Sequence, residues 1–172
     1  MQHFSPYSSP LGPMTIASDG HAIIGLWFNG QRHFKSTLLP EAICLPDDAI
    51  SQAIQWLDIY FGGDIPNFTP PLHIIGTPFQ HLVADCLLAI PYGQTTTYGS
   101  IAHQIALGAN LPHFSAQAVG GAVARNPISI IVPCHRVLGA NGALTGYAAG
   151  IDKKISLLQI EKKVDSPTIL TN

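Results

Sequence analysis

The sequence predicts a mixed α+β fold in two parts, and each part contributes one observation. Apolar runs at residues 14–17 and 22–28, separated by a short turn signal, are typical of neighbouring strands in a small antiparallel sheet. Later in the chain, two short helical patterns and a hairpin turn at Asn141-Gly142 follow one another as in a winged helix-turn-helix. We therefore expect an N-terminal α/β domain over residues 1–76 and a C-terminal helix-turn-helix domain over residues 77–172.

The composition is that of a folded, reduced protein. Hydrophobic residues make up 47% of the 172 residues and charged residues only 10%, which excludes a disordered chain. No apolar stretch is long enough to span a membrane, and the first residues lack the basic and apolar regions of a signal peptide. Because Cys44, Cys86 and Cys134 show no C-x-x-C spacing, we expect neither a disulfide framework nor a zinc site. The sequence thus predicts a cytoplasmic protein with no membrane partner.

The charges are distributed unevenly along the chain. The formal net charge of −2 gives no sign of nucleic-acid binding by itself. Residues 1–84, however, hold two basic and six acidic side chains, whereas residues 85–172 hold six basic and four acidic ones. We therefore expect any anionic partner to meet the second half.

The first half contains one clear helix and no catalytic cluster. Apolar residues at helical spacing predict a helix over residues 48–61, which Gly62-Gly63 ends. Asn29-Gly30 closes the second apolar run as a hairpin turn would. The histidines and the cysteine of this half lack the spacing of metal ligands, so we expect scattered surface residues. They are His3, His21, His33 and Cys44.

Three helices are predicted between residues 77 and 126. They run from Thr77-Pro78 to the residue before Pro91, over residues 98–107 and over residues 116–125. Ser115 can cap the third helix, and Pro127 disfavours helix at the residue before it. The second and third helices, joined by a short loop, resemble a helix-turn-helix.

The third of these helices is rich in small residues, among them the adjacent Gly120 and Gly121. Glycine inside a helix costs about 1 kcal/mol relative to alanine, so we expect something to approach this backbone closely. Tight packing on a neighbouring helix and contact with a nucleic-acid groove both explain the pattern. Composition alone favours packing.

The last third of the chain predicts a buried strand, a hairpin and a final helix. The β-branched run at residues 128–132 is typical of a buried strand. Asn141-Gly142 predicts a hairpin between residues 136–138 and 143–145. Helical spacing of apolar residues predicts a helix over residues 152–163.

Cys134 is the candidate nucleophile. The pKa of a free cysteine is about 8.5, so a nucleophilic thiol needs a base or a cation nearby. His135 and Arg136 follow at once, but neighbours in an extended segment point to opposite sides, and a bridging water could relay the proton. Glu161, on the last helix, could hold the imidazole. These residues alone leave a nucleophile and a buried structural thiol equally open.

The segment Pro133-Cys134-His135-Arg136-Val137 is accompanied by five further motifs. They are Thr97-Tyr98, Ala118-Val119-Gly120-Gly121-Ala122, Asn126-Pro127, Gly146-Tyr147 and Leu157-Leu158-x-x-Glu161. In this order the motifs resemble those of the O6-alkylguanine-DNA alkyltransferases, also called methylated-DNA–protein-cysteine methyltransferases. The resemblance covers residues 77–163, and the first half is compatible with the variable N-terminal α/β domain of that family.

The resemblance implies a DNA repair enzyme that transfers a methyl or larger alkyl group from O6 of guanine, or less often O4 of thymine, to Cys134. It implies that His135 acts through a water as the base for this thiol and that Glu161 orients His135. Tyr98 would donate a proton to the leaving guanine. Because the thioether product is stable, each molecule would act once and would need no cofactor or metal.

The resemblance also implies how substrate and DNA are bound. Asn126 would support the active-site segment, the backbone near Val137 and Ala148 would recognise the base edge, and Tyr147 would line the pocket. A monomer would bind double-stranded DNA carrying O6-alkylguanine, with its recognition helix in the minor groove and the target base flipped out of the stack. The residues expected at the DNA are Thr95, Thr96, Thr97, Ser115, Gln117, Ala118, Gly120, Gly121 and Arg125.

Gln117 departs from the family pattern, which has an arginine just before Ala-Val-Gly. That arginine enters the stack in place of the flipped nucleotide, whereas glutamine is shorter and uncharged. The alternative function is therefore a protein that recognises alkyl lesions with little or no transfer, although relatives of that kind replace the cysteine that this chain retains. A cysteine hydrolase is a third class, but it would need a histidine, an asparagine or aspartate and an oxyanion hole that the sequence does not present.

Overall fold

The computed structural model describes residues 1–162, which form two compact units. The first unit contains residues 1–75 together with residues 127–131, and the second contains residues 76–126 and 132–162. The elements of the first unit are β1 (His3–Ser9), β2 (Gly12–Ser18), β3 (Ile23–Phe28), β4 (Ile43–Cys44) and α1 (Asp48–Phe61). Those of the second are α2 (Pro78–Leu88), β5 (Thr96–Thr97), α3 (Tyr98–Gly108), α4 (Ala116–Ala124), β6 (Val137–Leu138) and α5 (Ile151–Ile160).

The first unit is built on a four-stranded sheet with the order β3-β2-β1-β4. The predicted pair β2 and β3 is antiparallel, with Met14 opposite Phe28, and the turn between the two strands is held by the Asp19 carboxylate. Strand β1 was not predicted from the sequence, because it is short of apolar residues and remains partly exposed. Asn29-Gly30 forms a turn, but no strand follows it directly, so it does not close a hairpin.

Helix α1 covers the predicted range and packs its buried face on this sheet. Its N-cap, Asp47, accepts hydrogen bonds from the backbone N–H of Ile50 and from the hydroxyl of the fully buried Ser18 on β2. One carboxylate thus satisfies a helix end and fixes that end to the sheet. Within the sheet, the indole ring of the buried Trp27 lies against the backbone of Gly25.

The segment at residues 128–131 is buried as predicted, but the strand prediction is wrong. Only Ile128 pairs, in an isolated bridge to Leu26, and the chain then turns. The N–H of Ile131 bonds to the carbonyl of Ser129 two residues earlier, and Ile130 adopts a positive φ of 69°. The β-branched composition therefore reports burial rather than extension, since an apolar run is compatible with either.

The second unit contains the predicted helix-turn-helix. Thr97 caps α3 and Ser115 caps α4, each through its side-chain oxygen, and α4 ends where Arg125 and Asn126 lead into Pro127. Helix α2 has the predicted start, with a capping box at Thr77, but it ends at Leu88, before Pro91. These three helices contact one another and bury an apolar centre.

The predicted wing is only partly formed. Asn141 and Gly142 both have positive φ, and the N–H of Ala143 bonds to the carbonyl of Ala140, so the turn is of the predicted hairpin type. Strand β6, however, pairs in parallel with β5, and within the described residues no strand forms at 143–145. The N–H of Gly139 bonds to the carbonyl of Ala143 across the turn, whereas the carbonyl of Thr145 accepts a hydrogen bond from the Lys154 ammonium group.

Helix α5 ends earlier than predicted, at Ile160, and Glu161 is its C-cap. Lys163, included in the predicted helix, lies outside the described residues. None of the helices in residues 1–162 has the length and apolar character that crossing a membrane requires.

Candidate active site

Cys134 opens a short 3-10 turn, Cys134–Arg136, and only 6% of its surface is exposed. The expected extended conformation is therefore wrong for this segment. In the tight turn the neighbouring His135 and Arg136 side chains both reach the same carboxylate, that of Glu161. Successive side chains point to opposite sides of a strand, but they do not do so in a 3-10 turn.

Glu161 accepts three hydrogen bonds, two from buried side chains and one from a partly buried backbone N–H. Its Oε2 lies 2.5 Å from Nε2 of His135, and its Oε1 accepts from Nε of Arg136 at 2.8 Å and from the N–H of Gly93 at 3.1 Å. His135 is fully buried and Glu161 is 4% exposed. Of the three groups that the sequence nominated, the imidazole and the carboxylate are in direct contact, and the thiol belongs to the adjacent residue of the same turn.

The ionisation of the three groups follows from burial and from these bonds. Burial alone would raise the pKa of Glu161, but hydrogen bonds and charges from His135 and Arg136 lower it to about 2. Burial lowers the pKa of His135 from its ordinary 6.5, although Glu161 opposes this. Burial raises the pKa of Cys134, while a hydrogen bond from Asn126 and the charge of Lys154 act in the opposite direction. At neutral pH the resting site therefore holds an ionised carboxylate, a neutral imidazole and a protonated thiol.

Lys154 is a buried cation that the sequence reasoning missed. It is fully buried, and its Nζ donates to the carbonyls of Val137 at 2.6 Å and of Thr145 and Gly146 at 3.1 Å each. Burial lowers its pKa to about 8, against the opposing effect of Cys134. The helical spacing contains the signal, because Lys154 lies at the position of α5 that precedes Leu157 and Leu158 on the buried stripe. A lysine at such a position needs acceptors, and the three carbonyls supply them.

Other nominated residues surround the thiol. Asn126 donates from Nδ2 to the carbonyl of Val132 at 2.9 Å and also bonds to Cys134. The nearby Tyr147 side chain also acts to lower the pKa of the thiol. Burial and the nearby Cys134 raise the pKa of Tyr98, so this phenol keeps its proton at neutral pH. Val137 is buried in β6, and Ala148 is half-buried in the turn before α5.

A cavity of about 490 Å³ lies between the starts of α3 and α4. It is lined by Thr97, Tyr98, Gly99, Ala116, Gln117, Gly120 and Ala140. The other residues expected at DNA do not line it: Thr95, Thr96, Ser115, Ala118, Gly121 and Arg125. The side-chain oxygens of Thr97 and Ser115 are already used as helix caps, each accepting a backbone N–H.

The adjacent glycines of α4 are not explained by packing among the described residues. A Cβ on Gly121 would have no neighbour within 4 Å, and a Cβ on Gly120 would meet the Tyr98 ring at an ordinary 3.8 Å. Of the two explanations for the small residues, tight helix packing therefore loses its support at these positions. The remaining explanation is that an external surface, such as a nucleic-acid groove, approaches the backbone of this helix.

Comparison with known proteins identifies the family. Residues 78–163 match the DNA binding domain of the 6-O-methylguanine DNA methyltransferases, and residues 3–74 match the ribonuclease-like domain of the same family. A methylated-DNA–protein-cysteine methyltransferase of Mycobacterium leprae is 44% identical over 165 residues, covering 94% of this chain and 93% of the relative. An inducible one from Bacillus subtilis is 39% identical and covers 90% of this chain and 82% of the relative.

Solved structures of related proteins have the same fold as this chain. The crystal structure of the Mycobacterium tuberculosis O6-methylguanine methyltransferase superposes with a TM-score of 0.80 at 42% identity, covering 97% of this chain and 96% of that one. A crystal structure of the Mycobacterium tuberculosis protein in complex with DNA also gives a TM-score of 0.80 at 42% identity, covering 93% and 92%. Fold and sequence together define the class as methyltransferases that act on methylated DNA and contain a DNA binding domain. The chain belongs to the 6-O-methylguanine DNA methyltransferase family.

Proposed function

We propose that this chain is a DNA repair protein that transfers a methyl or larger alkyl group from O6-alkylguanine, and from O4-alkylthymine, irreversibly to its own Cys134. The observation that carries the proposal is the buried Cys134 beside the His135–Glu161 pair, in a chain whose relatives are named methylated-DNA–protein-cysteine methyltransferases. In the reaction the sulfur–carbon bond forms as the carbon–O6 bond breaks. The thioether does not hydrolyse, so one molecule repairs one lesion.

The proton transfers of the reaction give roles to three side chains, those of His135, Glu161 and Tyr98. The thiol proton passes through a water to His135, whose neutral form is favoured by burial and whose orientation is held by Glu161. The electron pair of the broken bond stays on the guanine, which takes up a proton as it leaves. Tyr98 is the donor, since its raised pKa keeps the phenol protonated until the guanine anion develops.

The groups around the thiol hold the substrate. Asn126, bonded to the Val132 carbonyl and to the thiol, fixes the segment that carries Cys134. The backbone of Val137 and Ala148 contacts the base edge, and Tyr147 lines the pocket. The Lys154 bonds support this arrangement by holding the carbonyl of Val137 and the start of the pocket loop.

We place double-stranded DNA against α4, with the recognition helix in the minor groove. The small side chains of this helix and the open space at Gly121 favour a close approach of the backbone to a groove. The lesion base flips to reach the buried thiol, and Gln117, on the cavity beside Tyr98, enters the vacated position. Phosphates are met by backbone amides, by hydroxyls such as Thr95 and Thr96, and by Arg125.

A recognition protein without transfer is not favoured, because Cys134 is present with its partners and the named relatives are methyltransferases. We further propose that the protein acts as a monomer in the cytoplasm. The reaction needs one thiol and one flipped base, which a single chain supplies.

The function is tested with three cysteine variants on a duplex that carries O6-methylguanine. Cys134→Ala is expected to abolish transfer while keeping the fold and the affinity for the duplex. The matched variants Cys44→Ala and Cys86→Ala remove thiols that are exposed and partly exposed, and they should transfer as the wild type does. Transfer that survives in Cys134→Ala, with the label on Cys44 or Cys86, would overturn the assignment.

A further inference from the structure

Arg136 holds Glu161 from the side opposite His135. The two oxygens of the carboxylate are divided between partners: Oε2 faces Nε2 of His135, and Oε1 accepts from Nε of Arg136 and from the N–H of Gly93. The Arg136 side chain is 9% exposed and that of Glu161 is not exposed at all. Because this ion pair is buried, the charge of Arg136 also affects the other hydrogen bonds that the carboxylate accepts.

The guanidinium group has a second anchor. Its Nη1 donates to the carbonyl of Ile90 at 2.7 Å, and its central carbon lies 5.7 Å from the centroid of the Tyr92 ring. The planar fork thus reaches the carboxylate with one N–H and the turn after α2 with another. A lysine has a single nitrogen at its end and cannot present donors to both acceptors in this fixed geometry.

We propose that Arg136 is a positioning residue for alkyl transfer, because it engages Oε1 of Glu161 and thereby keeps the ionised carboxylate on Nε2 of His135. The inference rests on the proposed function, in which His135 takes the proton of Cys134. An ionised carboxylate can only accept a hydrogen bond, so Nε2 must carry the proton and Nδ1 is the basic nitrogen.

Removal of Arg136 would make the Glu161 carboxylate easier to protonate. Glu161 would remain buried with one cationic partner fewer, so its pKa would rise. A protonated Glu161 can donate to Nε2, and the imidazole then carries its proton on Nδ1 and no longer acts as a base toward Cys134. The loss of rate must therefore be largest at low pH and must recover as the pH rises.

The test compares Arg136→Met, Arg136→Lys and Arg32→Met in full-length protein that also carries Cys44→Ser and Cys86→Ser. Arg32 is an exposed arginine of the first unit and serves as the matched control. The substrate is free O6-benzylguanine, which requires no base flipping, and the second-order rate is measured from pH 5 to 9. Arg136→Met should be slower by up to about tenfold at pH 5 and should approach the rate of the parent by pH 9, with the acid limb of the profile about one pH unit higher. Arg136→Lys should keep the acid limb and lose less, and Arg32→Met should match the parent.

A double-mutant cycle with Glu161→Gln separates positioning from folding. If Arg136 acts through Glu161, Arg136→Met should cost less than about threefold in the Glu161→Gln background. Equal losses in both backgrounds, or a folded Arg136→Met with the parental pH profile, would overturn the inference. If Arg136→Met does not fold, the same cycle is run with Arg136→Lys, and equal losses there would overturn it as well.

The reaction of Cys134 with an aromatic disulfide reagent gives a readout that does not depend on alkyl transfer. The same shift of the acid limb is expected in Arg136→Met. A parent protein that gains no benzyl group on Cys134 would contradict the proposed function, while the disulfide profile would still decide the role of Arg136.

Discussion

His135 and Glu161 form the pair on which the chemistry depends. Removing either side chain, as in His135→Gln or Glu161→Gln, should slow transfer by roughly 10²–10⁴-fold, the usual contribution of a placed base. Both variants should also raise the pKa of Cys134 in a titration with a thiol reagent. An unchanged pH profile in both would mean that another group activates the thiol.

The depressed pKa of Glu161 also makes stability depend on pH. Its pKa is about 2 in the folded protein and 4.5 ordinarily, so ionisation favours the folded state above pH 4.5. This contribution is lost as the pH falls from 4.5 to 2. In thermal unfolding experiments Glu161→Gln should therefore lose less stability than the wild type over that range.

Gln117 is the residue at which this chain departs from the family pattern. An arginine can stack in the vacated position and contact a phosphate, so Gln117→Arg should accelerate repair of duplex DNA by about tenfold if about 1.4 kcal/mol of flipping free energy is recovered. The control Gln117→Met has a similar length without charge and should give no gain. Second-order rates on duplex and on free O6-benzylguanine provide the measurement. Equal acceleration on both substrates, or none on the duplex, would show that flipping is supported elsewhere.

Strand β3 has no room for a side chain at Gly25. A Cβ there would lie 1.8 Å from the ring of the fully buried Trp27, which has no space to move into. Gly25→Ala should therefore lower the free energy of unfolding by about 1–3 kcal/mol, as overpacking does. Gly108→Ala, in the last turn of α3 with no atom near its Cβ, should be neutral or slightly stabilising. Similar unfolding curves for the two variants would contradict this account of the sheet.

The elements differ in how much the sequence could reveal about them. Helices with a cap, an apolar stripe and a stop signal, such as α1 and α4, were predicted closely because all three signals are local. Strand β1 and the turn at residues 128–131 were not, since pairing and burial are decided by distant partners. The parallel pairing of β6 with β5 was hidden for the same reason.

The sequence predicted which residues form the site but not how they are arranged. Cys134, His135 and Glu161 were nominated together by the resemblance, but the 3-10 turn that aims two neighbouring side chains at one carboxylate has no sequence signature. Lys154 was missed because a lysine is usually a surface residue, and its three carbonyl acceptors come from other segments.

The number of basic side chains determines how strongly the affinity for DNA depends on salt. Six basic residues lie between residues 85 and 172, and two of them, Arg136 and Lys154, are buried in the site. At most four basic side chains of residues 85–172, the half expected to meet DNA, can then neutralise phosphates, so the plot of log affinity against log salt should have a slope of about −4 or shallower. Gln117→Arg should steepen it by about one. Titrations of an unmodified duplex at several salt concentrations measure the slope, and a value near −8 would show a cationic surface that this account lacks.

The central claim is that Cys134 keeps the alkyl group that it removes. The most direct measurement mixes the wild-type protein with a severalfold molar excess of a duplex containing a single O6-methylguanine, then weighs the protein, maps its peptides and counts the restored guanines. The account predicts a gain of about 14 Da on one peptide, the one with Cys134, and one restored guanine per molecule of protein, with no further turnover. An unchanged mass, a methyl group on Cys44 or Cys86, or repair of more than one lesion per molecule would contradict it.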